Sequence, residues 1–108
     1  MALFLVRFGY TPESWAALVR NPEDRRDMLA ARIFGFGGRL HGFWYSLGEH
    51  DGYAITEFPD EVAAAAAHVA LEATGTFQHL DATALLSVEE MVEAMQRANE
   101  FAFAKPGG

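Results

Sequence analysis

The stretch from Leu40 to Phe58 limits what this chain can fold into more than any other. It holds two aromatic-rich runs, one around Phe43-Trp44-Tyr45 and one around Tyr53-Ala54-Ile55, joined through a glycine-bounded turn. Asp51-Gly52 is a strong hairpin signal, because glycine tolerates positive φ and an aspartate bonds nearby backbone. The spacing predicts strands near 39–47 and 53–58, with Gly48, Glu49, His50, Asp51 and Gly52 as the turn. Alternation sends Phe43, Tyr45 and Leu47 to one side and Leu40 and Trp44 to the other, so both faces are apolar. A single chain of 108 residues has few ways to cover both faces of a sheet.

The flanking segments supply the remaining elements. Residues 2–10 form a β-prone apolar run, read as the first, central strand. Thr11-Pro12-Glu13 then offers an N-cap, a first-turn proline and an acid against the helix dipole, and Trp15, Leu18 and Val19 give a helical stripe. Asn21-Pro22-Glu23-Asp24 repeats the start signal, so the helical arm breaks at Asn21. Its second half carries Leu29, Ile33 and Phe36 and ends at Gly37-Gly38. Pro59-Asp60 opens another helix through about Ala73, with Val62, Ala66, Val69 and Ala73 expected inward. Residues 76–86 make the fourth strand, with Leu80, Ala82, Ala84 and Leu86 on one side and Phe77, His79, Asp81, Thr83 and Leu85 on the other. Ser87-Val88-Glu89-Glu90 is a capping box for a last helix bearing Val88, Met91, Val92 and Met95. Residues 1–100 thus read as one domain, with 101–108 a flexible tail.

The order β-α-β-β-α-β plus a helix is that of an α+β, ferredoxin-like plait, a four-stranded antiparallel sheet with helices on one face. The other face would expose on the order of several hundred Å² of apolar surface, more than a soluble monomer tolerates. A homodimer through the sheet face is therefore expected. The formal charge of -7, from 8 Lys+Arg against 15 Asp+Glu, repels phosphate backbones and anionic membranes, so neither nucleic acid nor membrane is an expected partner. With no cysteine, disulfides, thiolate metal sites and a cysteine nucleophile are excluded. The apolar N-terminus lacks a basic leader and is interrupted by Arg7, so the chain reads as soluble and cytoplasmic.

Further motifs carry a family likeness. Leu5-Val6 to Tyr10-Thr11-Pro12-Glu13 followed by Trp15, the Asn21-Pro22-Glu23-Asp24-Arg25 break, Gly38 leading into Gly42-Phe43-Trp44-Tyr45, and Gly48-Glu49-His50-Asp51-Gly52 together resemble the GYD domain family over most of residues 3–98. The resemblance implies the dimeric α+β barrel fold, with two sheets back to back, and no established reaction. His50 stands where the family's Gly-Tyr-Asp-like turn has tyrosine.

Candidate chemistry is sparse. Glu49-His50-Asp51 holds three adjacent side chains that diverge, whereas a metal needs converging ligands, so no metal site and no cofactor is expected. His68, on the alanine-rich helix, reads as a solvated or packing residue. His41 and Tyr45 share a face of the second strand by alternation, and His79 and Asp81 a face of the fourth; the latter two could pair as base and orienter. Arg7 in the central strand needs Glu57, Asp81 or a ligand anion as partner. Tyr10, Trp44 and Arg7 are the candidate ligand-binding residues, and His41, Tyr45, His79 and Asp81 the candidate catalytic ones. Gly35-Phe36-Gly37-Gly38 follows a helix and lacks Lys-Ser/Thr, which excludes a phosphate loop. Three functions fit these residues: a dimeric domain binding a small apolar or aromatic molecule between sheet and helices, a cofactor-free monooxygenase- or isomerase-like enzyme, and a purely structural dimerisation module.

Overall fold

In the computed structural model of the protein, which describes residues 1–101, three of the four helices begin at a capping side chain, and α2 begins after Arg25 without one. The elements are β1 (Ala2–Tyr10), α1 (Pro12–Arg20), α2 (Arg26–Gly35), β2 (Arg39–Tyr45), β3 (Gly52–Phe58), α3 (Glu61–Glu72), β4 (Phe77–Leu85) and α4 (Val88–Glu100). Thr11 accepts from the Ser14 amide and Asp60 from the Ala63 amide, while Ser87 and Glu90 close the expected capping box. The helical arm breaks between Arg20 and Arg26, where Pro22 forbids a continuous ladder. Beyond Phe101 the expected tail lies outside the described residues.

The strands form one antiparallel sheet in the order β2-β3-β1-β4, so β1 is central and β2 and β4 are the edges. Helices α1, α2 and α3 lie on the face that carries Phe4, Val6 and Phe8. Two clusters fill it: Phe8, Tyr10 and Leu80 with Leu18, Phe43, Leu71 and Phe77, and Ile33, Phe58 and Ala67 with Phe4, Leu29 and Leu40. Strand β3 shows the two-sidedness in its burial, with Gly52, Ala54, Thr56 and Phe58 buried and Tyr53, Ile55 and Glu57 half-buried on the uncovered face.

Four side-chain assignments differ from the sequence reading. An extra residue in β2 between Leu40 and Gly42 turns Leu40 to the helix face and leaves His41 on the other, so His41 and Tyr45 do not share a face. A second irregularity sets Phe77 opposite Tyr10 and brings it into the core beside Phe8. Both follow from the period of two in a strand, where one inserted residue reverses the side-chain order. In α3 the inward residues are Ala63, Ala64, Ala67, His68 and Leu71, while Val62, Ala66, Val69 and Ala73, expected inward, are exposed. Strand β2 also ends at Tyr45, leaving Leu47 fully exposed in the turn.

Helix α4 stands apart from the layers. Every one of its residues is exposed, and the Cα radius of gyration is 18.1 Å with a longest dimension of 64 Å. A compact domain of this length measures about 13 Å.

Candidate functional site

Small side chains open a space between α3 and the β1-β4 half of the sheet. The alanines Ala64 and Ala67 on the helix and Ala82 and Ala84 on β4 line it, together with the larger Phe4, Ile33, Phe58, Leu71 and Leu80. The result is a chamber of about 470 Å³, open on one side. Its polar residues are Thr56, His68 and Glu61. Thr56 is buried and its Oγ1 has no hydrogen-bond partner among the described residues. An unpaired buried hydroxyl costs about 1–3 kcal/mol, so this wall is not optimised as sealed core. His68 and Glu61 lie two helical turns apart on α3 and are the polar groups nearer solvent.

At the far end of the sheet the aromatic residues pack against one another. Tyr10 stacks on Phe77 at 5.6 Å and meets Trp15 edge-on at 5.0 Å, and its hydroxyl shares a 3.1 Å hydrogen bond with that of Tyr45. Asp51 ties this end together: its Oδ2 accepts from the Tyr10 amide at 2.8 Å and from Trp15 Nε1 at 3.1 Å, while its own amide donates to the Phe8 carbonyl at 2.9 Å. Burial, and then the bond to Tyr45, push the Tyr10 phenol well above its ordinary pKa. The folded chain therefore keeps this proton to higher pH than the unfolded chain does. Stability from this group is intact below about pH 10 and falls above it by at most about 1.4 kcal/mol per pH unit, because the unfolded state then binds fewer protons. Urea unfolding between pH 9 and 11 will show that decline, and Tyr10→Phe will flatten it.

The uncovered face holds a different group. His50 Nδ1 and His79 Nε2 share a hydrogen bond of 2.9 Å, with the rings nearly edge-to-face and Tyr53 beside His50. The ring of His79 lies over Gly9, where a Cβ would stand 2.3 Å from His79 Cε1. Only a glycine lets the imidazole lie so low on the strand. One ring donates and the other accepts, so the tautomer of each ring is tied to that of the other. Among the described residues, no three His, Asp or Glu side chains are grouped to hold a metal ion.

The sequence candidates separate accordingly. Tyr10 and Tyr45 meet in the aromatic end, and neither Arg7, Tyr10 nor Trp44 lines the chamber. Arg7 donates to the Thr83 hydroxyl rather than to Glu57 or Asp81, and Glu57 is taken by His41 Nε2 at 2.8 Å. His79 is oriented by His50 and not by Asp81, which is exposed opposite Arg7. Trp44 is 56% exposed and lies across Gly42 on the uncovered face. His68 faces the chamber from α3. Sequence reasoning missed Asp51 and the His50-His79 pair, whose partners come from turns and strands far apart in the chain.

The comparisons agree with the topology. The GYD domain matches residues 4–95. No curated protein sequence matches the chain. Among solved structures, an uncharacterized NIPSNAP domain protein from Burkholderia xenovorans aligns with a TM-score of 0.51 at 15% identity, covering 82% of this chain and 95% of that one. At that identity the likeness is one of fold.

Proposed function

We propose that this chain, which belongs to the GYD domain family, is a homodimeric module that binds a small, mainly apolar molecule between the sheet and α3. The chamber carries this reading. Its volume of about 470 Å³ lies within the roughly 300–1,000 Å³ of small-molecule sites, and its apolar walls with few polar groups match their usual chemistry. His68 is the polar group a ligand can reach from the open side, so an aromatic or alicyclic body with one hydrogen-bonding substituent fits best. Supporting a second copy, the uncovered sheet face presents Leu3, Leu5, Ile55 and Leu85, and among the described residues no helix packs over them.

Thermal unfolding in the presence of indole and of 1-naphthoic acid tests the chamber. A probe at tenfold its Kd adds about 1.4 kcal/mol, which raises Tm by roughly 6–11 °C in a domain of this size. Ala82→Leu places a branched side chain on the exposed chamber wall and will abolish the shift without lowering Tm in the absence of probe. Wild-type protein whose Tm is indifferent to both probes at millimolar concentration would remove the basis for the binding reading.

A further inference from the structure

We propose that α4 is an exchanged arm whose apolar stripe docks on a second copy of this chain. The inference rests on the sheet-face dimer proposed above and extends its interface.

The helix is built to be a helix and built to be covered. Its capping box at Ser87 and Glu90 and the Glu93-Arg97 pair at 2.7 Å hold it in shape. Isolated helices shorter than about 12–15 residues are nonetheless marginal in water and owe their stability to packing. Val88, Met91, Val92 and Met95 fall at i, i+3, i+4 and i+7 and are 77%, 44%, 42% and 56% exposed, whereas Glu89, Glu93 and Arg97 project elsewhere. Among the described residues no strand or other helix packs extensively against this stripe. It is continuous with the uncovered sheet face, since Leu3 pairs with Leu85, and Leu86 then leads directly to Val88.

Area argues for the second copy. Four strands about 4.8 Å apart and about 26 Å long present roughly 500 Å² of face, short of the ~800 Å² per partner of a standard stable interface. The 13 residues of α4 extend about 20 Å at ~1.5 Å each and add roughly 200 Å², which brings each face to roughly 700 Å², inside the ~600–1,000 Å² spread of standard interfaces. Under two-fold symmetry each arm reaches the other copy, and the assembly closes at two.

Sedimentation velocity across a dilution series of the full chain, beside Met91→Glu/Met95→Glu, decides the matter. Both methionines are exposed in the single chain, so the substitutions spare its fold. A wild-type dimer, with at least tenfold weaker association in the variant and an unchanged urea midpoint at monomeric dilution, supports the arm. A wild-type dimer with equal association in the variant overturns the arm and leaves the sheet-face dimer standing. Loss of monomer stability in the variant also overturns it, because the helix would then be packing on its own chain. A wild-type monomer at micromolar concentration overturns both.

Discussion

Phe8→Ala is expected to lose about 3–5 kcal/mol of folding free energy, the range for truncating a buried aromatic. Phe8 is 2% exposed and sits where the two edges of the aromatic end converge. Its ring lies 5.2 Å from Tyr10, 5.4 Å from Phe43, 5.7 Å from Phe77 and 6.3 Å from Tyr45. It also fills the space over Gly52, where a Cβ would come within 2.1 Å of Phe8 Cζ, so no neighbour can slide in to close the gap. Because domains of this kind are stable by only about 5–15 kcal/mol, the variant will be partly unfolded at moderate urea. The check is a urea titration in which the midpoint falls while the slope stays constant. A loss below about 1 kcal/mol would mean that the aromatic end is loosely packed.

Asp51→Ala is the second large effect, about 2–4 kcal/mol, through a different mechanism. One carboxylate oxygen accepts both from the Tyr10 amide and from Trp15 Nε1. Tyr10 is 3% exposed, so its amide finds no water in place of the lost acceptor. Hydrogen bonds to charged groups contribute about 1.5–3 kcal/mol, and a stranded buried donor adds its desolvation cost. Asp51→Asn keeps one oxygen in place and will recover part of the loss. Trp15 fluorescence offers a local readout beside the urea midpoint, since the indole is released from the turn in the alanine variant. Equal stability of the aspartate, asparagine and alanine proteins would show that the turn needs no acceptor.

The sequence made the order of elements readable because helix starts are local. Thr11-Pro12, Asp60 and Ser87 with Glu90 announce themselves within four residues, and each caps as expected. The break at Pro22 is equally local. The faces were harder to read. The extra residues in β2 and β4 have no signature of their own, yet they reverse Leu40 and Phe77. Helix α3 runs through Ala63 to Ala67, where every side is apolar and no contrast tells inside from outside; hence the inward position of His68 escaped notice, and with it the chamber. A cavity is a difference between the volume of facing residues, and Ala82 and Ala84 on β4 face α3 only after the chain has folded. The same distance in sequence hid Asp51 and the pairing of His50 with His79.

The central position of β1 has a consequence in time. Of the four strands, β1 is made before both of its neighbours: it pairs on one side with β3 and on the other with β4, in a register that joins Leu3 to Leu85. Its first partner, β3, is complete only at Phe58, and its second, β4, only at Leu85. β1 joins the local β2-β3 hairpin only across about fifty residues, and the sheet is complete only with β4, so folding is governed by long loop closures and is slower than the content of helix would suggest. Until β3 has been made, the apolar Leu3, Phe4, Leu5 and Val6 remain without a strand beside them. In that interval a chaperone or another nascent chain meets this edge before the protein does.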